Sequence, residues 1–251
     1  MRWTRRWFFF VAAYTFGFGA TLLLAAPWVP FAFEPIEETW VRVFGALVVG
    51  ISIFQVELAR SGRPFMLRAG LVYQSGAALG LAYMASHDSP GARMALAVVL
   101  IGLLGSGIGY LREAKDASLP TASADFVLLP RTARWNLYVA SYTLVLGILC
   151  ALAPLLIFPL LGFPPTDGPW VRAAGCALLV LCHINWQVYR AKGSARYIFA
   201  IYLLRCFILA ALLVMTLSGF PLGLLVAAGL LAIGLVGTTL SYFPEMRSAT
   251  R

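Results

Sequence analysis

Apolar residues in this chain run in long blocks, not in strand-like alternation and not along one helical stripe. Eight blocks can be drawn, at 7–26, 40–59, 65–85, 92–111, 135–158, 170–189, 196–218 and 221–242. A helix rising about 1.5 Å per residue crosses a hydrocarbon core about 30 Å thick in about twenty residues. Each block therefore predicts one membrane-spanning helix. Polar or Pro-rich stretches separate the blocks. The last two are joined only by Ser218-Gly219-Phe220-Pro221, a tight turn. The expected fold is all-α, integral to the membrane, with eight spans.

Residues 7–85 and 135–218 read as two copies of one stretch. Val11-Ala12-Ala13-Tyr14-Thr15-x3-Gly19 returns as Val139-Ala140-Ser141-Tyr142-Thr143-x3-Gly147. Trp40-Val41-Arg42-x2-Gly45 returns as Trp170-Val171-Arg172-x2-Gly175. Each copy is expected to hold four helices, over 1–111 and 135–251. The polar stretch 112–134, with Pro120 and Pro130, reads as a flexible cytoplasmic linker. An even number of spans per copy points both copies the same way. A pseudo-two-fold axis along the membrane normal then relates them, as in parallel-repeat transporters. A fused homodimer has the same geometry.

Composition agrees, with 61% hydrophobic and 12% charged residues. A soluble domain is about half apolar and about a quarter charged. The net charge of +9 follows the membrane, so no nucleic-acid partner is inferred. With the N-terminus inside, Arg42, Arg93 and Arg172 are outside and Arg205 lies within a helix. All the other Lys and Arg residues fall on inner segments. That asymmetry obeys the positive-inside rule and predicts cytoplasmic termini. Arg2, Arg5 and Arg6 before an apolar run imitate a signal peptide. The run is too long, however, and Pro27-Trp28-Val29-Pro30 replaces a small-residue cleavage site, so a retained helix is expected. The four cysteines form no CxxC, which suggests neither a disulfide framework nor a zinc site. No metal and no cofactor are expected.

Polar groups at membrane depth are costly, so those present in both copies draw attention. Tyr14 and Thr15 match Tyr142 and Thr143, Gln55 matches Asn185, Glu57 matches Gln187, and Arg60 matches Arg190. After a one-residue shift Gln74 matches Arg205. Helical spacing places His183, Gln187 and Arg190 on one face, and Glu57 beside Arg60. Arg205 lies nine residues beyond Arg196, roughly 13 Å into the bilayer. The expectation is one polar layer in the inner half of the membrane, made of Glu57, Gln74, Tyr142, His183, Gln187 and Arg205. A Glu57–Arg205 ion pair across the copies is its expected centre. The competing arrangement pairs Glu57 with Arg60 and gives Arg205 to Tyr142, Asn185 or backbone carbonyls. Arg42 and Arg172 form a second matched pair at the outer ends, for lipid phosphates or one shared anion.

Gly102, Gly105, Gly107 and Gly109 in the fourth block, and Gly223, Gly229, Gly234 and Gly237 in the eighth, permit close helix approach. They serve packing within the bundle or a contact to a second copy or a membrane partner. Trp7, Trp28, Trp40, Trp135 and Trp170 fall near helix ends and read as interfacial anchors. No HExxH, GxSxG elbow, phosphate loop or diphosphate-type carboxylate pair occurs. Enzymatic chemistry is not favoured.

The Gly-x-Gly of the first block, Ala26-Pro27 at its end and Trp40-Val41-Arg42-Val43-Phe44-Gly45-Ala46 resemble the small four-helix membrane proteins of bacteria, DoxX-like in layout. The resemblance implies a four-helix unit per copy and a bacterial inner membrane, and carries no activity or functional residue. The functional expectation is a small carrier or channel for an anion, proton or amphiphile, with membrane lipids as neighbours. The alternative is a non-catalytic accessory or scaffold subunit of a larger membrane complex.

Overall fold

Proline sets where most helices begin. Its fixed φ suits the first turn, where a missing N–H costs nothing. Pro35, Pro64, Pro90, Pro130, Pro154 and Pro169 each open a helix. The computed structural model describes residues 2–25, 35–61, 64–86, 90–114, 127–161, 163, 168–191 and 194–249. Among them stand nine helices: α1 (Arg2–Leu24), α2 (Pro35–Ser61), α3 (Pro64–Ser86), α4 (Pro90–Ala114), α5 (Pro130–Leu152), α6 (Pro154–Leu161), α7 (Pro169–Arg190), α8 (Ala195–Leu217) and α9 (Gly223–Ala249).

Seven of the nine, all but α3 and α6, are long and apolar enough to cross a membrane. The protein is an all-helical, multi-pass membrane protein. α3 has 23 residues, but it carries Arg68, Tyr73, Gln74 and Ser75. α6 has only 8 residues. The expected block 135–158 breaks at Ala153, because Pro154 cannot donate into the α5 ladder. Gly219, at φ 91°, ends α8 with the left-handed residue that glycine adopts at no steric cost. Of the expected linker, 112–114 close α4 and 130–134 open α5. Leu128 pairs with Ser194 in an isolated antiparallel bridge, and Ala195 N–H donates to Val127 O at 2.9 Å. The segment 115–126, Pro27 to Pro30, Glu34, Arg63, His87, Asp88, Lys192 and Arg251 lie outside the described residues.

The helices close into a ring in the order α1, α2, α8, α9, α5, α7, α3, α4 and back to α1. α2 also touches α7 across the middle. Although consecutive, α2 and α3 share little contact, and so do α7 and α8. The place beside α2 is filled by α8, and the place beside α7 by α3. One hydrophobic core runs through both halves of the chain. Leu24, Leu79, Leu104, Leu217 and Leu240 are exposed on the outside, as lipid-facing residues are.

Particular contacts recur at matched positions. α1 crosses α2 on two glycines: a Cβ on Gly45 would lie 2.7 Å from Gly19 O. α5 crosses α7 likewise: a Cβ on Gly175 would lie 2.5 Å from Ala151 N. Trp7 lies over Gly105 and Trp135 over Gly237, so close that a Cβ on either glycine would meet the indole at 2.3 Å. Those two tryptophans are therefore packing groups as well as residues near helix ends. The glycines named for α4 and α9 are partly spent inside the molecule: Gly102 faces Val11, and Gly234 faces Val139.

Two carboxylates cap helix starts from another helix. Glu113 of α4 accepts from Trp3 N, Thr4 N and Thr4 Oγ1 at 2.7, 3.1 and 2.7 Å. Glu245 of α9 accepts from Arg131 N, Thr132 N and Thr132 Oγ1, each at 2.8 Å. An anion satisfies the free N–H groups there and suits the positive end of the helix dipole. At the opposite end Arg42 Nη1 donates to Leu23 O at 2.6 Å, and Arg172 Nη1 to Ala151 O at 2.9 Å. Arg42 also binds Glu38 at 2.8 Å. Arg42 and Arg172 thus cap the carboxyl ends of α1 and α5, where a cation is favoured.

Candidate functional site

The central helices α2 and α7 divide the ring into two compartments, each holding a cavity. One, of about 100 Å³, lies among α2, α5, α7, α8 and α9 and contains Arg205. The other, of about 60 Å³, lies among α1, α2, α3, α4 and α7 and contains Gln74. Both have mainly apolar walls. One water needs about 10–15 Å³ on this measure, so each has room for several waters or a small molecule.

Arg205 is 1% exposed. Its Nη1 donates to Thr238 Oγ1 at 2.9 Å, and its Nη2 to Asn136 Oδ1 and Asn185 Oδ1 at 2.5 and 2.6 Å. Three oxygens from α9, α5 and α7 therefore hold one guanidinium, and all three are neutral. Asn185 is itself fixed by donation to Leu181 O, and Thr238 by donation to Gly234 O. Arg205 Nε and the Tyr142 hydroxyl are buried without a hydrogen-bond partner among the described residues. Both side chains line the cavity. Of the cavity's polar residues, Tyr142, Thr143 and Arg205 lie near the middles of α5 and α8, and Asn185 lies toward the end of α7. Trp40, Cys150, Phe163 and Leu212 lie farther toward the other end. There Trp40 packs on Phe158 and Phe163 at centroid distances of 5.3 and 5.1 Å. Trp40 is thus a cavity wall and, like Trp170 against Phe44, a buried aromatic instead of an interfacial anchor.

The Gln74 cavity repeats the plan without the charge. Thr15 Oγ1 donates to Gln55 Oε1 at 2.8 Å. The Gln74 amide and the Tyr73 hydroxyl are buried, and the hydroxyl lies within reach of the Gln55 and Gln74 side chains. By matched position Asn136, Asn185 and Thr238 face Phe8, Gln55 and Ser106, so only the second compartment has the full cradle for a guanidinium.

The expected Glu57–Arg205 pair does not form. Glu57 pairs with Arg196 at the start of α8. The first turn of α8 adjoins the last turns of α2, which brings Arg196 to Glu57. Arg205 is nine residues farther along, roughly 13 Å, and turns to α5, α7 and α9. Nor does Glu57 take Arg60 as its ion-pair partner. The six expected residues do not line one cavity: only Tyr142 and Arg205 share one. Gln74 lines the other, and Glu57 lines a groove between α1, α2 and α8. His183 and Gln187 approach each other at 3.5 Å on α7, beside α3.

Asn136 and Thr238 were not anticipated. Asn136 follows Trp135, which reads as the membrane interface, and faces an apolar Phe8 in the other copy. Thr238 lies beside the α9 glycines and looks like a packing residue. The available signal was the need of Arg205 for oxygen acceptors at its own depth, which both supply.

Comparison with known proteins finds no match among family models, characterised proteins or solved structures.

Proposed function

We propose that this protein binds a small anionic amphiphile at Arg205 and carries it across the inner membrane of a bacterium. The observation that carries the reading is a fully buried guanidinium with only neutral acceptors, beside an apolar cavity. A buried cation without a counter-charge is costly, and an incoming anion supplies the counter-charge. The Arg205 Nε–H and the Tyr142 O–H are two unspent donors for its head group. The tail lies along the wall from Arg205 to Leu212, seven residues or about 10 Å.

In this reading the chain is a tandem repeat of eight spans, counting the more polar α3, with both termini cytoplasmic. The recurring glycine crossings, Glu caps and Arg caps support the repeat. Arg5, Arg60, Arg68, Arg190, Arg196 and Arg247 gather at one end, which faces the cytoplasm by the positive-inside rule. Only the second compartment is charged, so the two halves are not equivalent in binding.

The test is flux into proteoliposomes of a labelled short alkyl sulfonate, which stays ionised and does not cross lipid unaided. Saturable uptake that is lost in Arg205→Met, with the fold retained, supports the reading. No saturable uptake by the folded wild-type protein overturns carriage. In that event a stoichiometric membrane partner on the exposed faces of α4 and α9 would favour a scaffold subunit.

A further inference from the structure

The two seams between the halves, α2 with α8 and α3 with α7, are built alike at the arginine-rich end. Each brings an arginine of the crossing helix against a pair spaced i, i+3. In the α2–α8 seam that pair is Glu57 and Arg60, and the visiting arginine is Arg196. Glu57 binds Arg196, so the acid closes the seam on itself. In the α3–α7 seam the pair is Gln187 and Arg190, and the visitor is Arg68. An amide stands where the other seam has its carboxylate.

The consequence is a pocket of about 340 Å³ with two arginines on its lining and no acid among its described residues. Neither Arg68 nor Arg190 enters an ion pair among the described residues. Gln187 also lines the pocket, and its Oε1 is buried without a partner. The amide can flip to present its NH₂ instead. Two forked guanidinium donors and an amide donor fit the oxygens of a phosphate group.

We propose that the α3–α7 seam binds a phosphate group through Arg68, Arg190 and Gln187. The phosphate belongs to an anionic phospholipid headgroup or to free phosphate. Exposed Val72 beside Arg68 offers an apolar flank for a lipid chain. The site is separate from Arg205 and does not depend on the reading of that cavity.

Native mass spectrometry of the full-length protein tests this, with phosphatidylglycerol, phosphatidylcholine and inorganic phosphate as separate probes. The wild type should retain one phosphatidylglycerol in preference to phosphatidylcholine, or bind inorganic phosphate at the same seam. Displacement of the lipid by inorganic phosphate identifies the free ion as the ligand, and persistence identifies the headgroup. A surface arginine is worth about fivefold in binding to an anionic lipid, so Arg68→Gln with Arg190→Gln should weaken it about 25-fold. Gln187→Glu should close the site in the manner of the other seam. Glu57→Gln should open the other seam and add a second bound phosphatidylglycerol, a gain that misfolding cannot imitate. Equal retention of both lipids without phosphate binding overturns the proposal. So does a Gln187→Glu variant that binds as the wild type does.

Discussion

Arg205→Met separates a stabilising role of the buried arginine from a binding one. The substitution removes a charge whose burial at mid-membrane costs about 2.5–3.5 kcal/mol on the insertion scale. It strands Oδ1 of Asn136 and Oδ1 of Asn185, each worth about 1–3 kcal/mol when left buried without a donor. Thr238 keeps its bond to Gly234 O, so its loss is small. The two sides nearly cancel, and the net change should lie within about 3 kcal/mol of zero. Asn185→Leu behaves differently. It keeps the buried charge and deletes one of its three acceptors, costing about 1.5–3 kcal/mol as the loss of a bond to a charged group. Adding Arg205→Met to Asn185→Leu removes the charge that had lost its acceptor. The double variant should therefore be at least as stable as Asn185→Leu alone. Equilibrium unfolding in mixed detergent measures all three. A loss well above 4 kcal/mol for Arg205→Met alone, with a double variant worse than either single, would refute this reasoning. It would make Arg205 a stability keystone instead of a ligand group.

Gly175→Val should lower the melting temperature sharply, because its Cβ would meet Ala151 N at 2.5 Å. Gly229→Ala, with open space around the new methyl, should raise stability by up to about 1 kcal/mol. Gly80→Cys should cross-link to Cys176 under mild oxidation, since its Cβ would lie 3.1 Å from Cys176 Cβ. That bond, scored by gel mobility after cleavage between the halves, tests the packing of α3 against α7. Glu245→Ala should speed amide exchange at Arg131 and Thr132 by the loss of a cap worth about 0.5–2 kcal/mol, leaving the centre of α5 protected.

Block length in the sequence located every long helix, because hydrocarbon thickness sets a length that composition then reveals. The glycines at 19 and 45, and at 147 and 175, were legible only as marks of the repeat; that backbones meet there, leaving no room for a side chain, is seen in the structure. Partner choice was not legible. Block length tells that α3 and α8 are helices, but not that each turns its back on its own α2 or α7 to pack in the other half. The Glu57–Arg205 expectation joined the right helices, α2 and α8, at the wrong depth: Arg196 meets Glu57, and Arg205 turns to α5, α7 and α9. Comparing the copies found Arg205, Asn185 and Tyr142 because both copies are polar there. The same comparison hid Asn136, whose match is Phe8. Positions that are polar in one copy alone are invisible to it.

The most direct measurement is quenching of Trp40 fluorescence by a short alkyl sulfonate carrying bromine at its tail, since Trp40 walls the far end of the Arg205 cavity. An anion held at Arg205 predicts saturable quenching that disappears in Trp40→Phe and is lost in Arg205→Met. Quenching that is equally strong with the uncharged methyl ester, or unchanged in Arg205→Met, would contradict the anionic site.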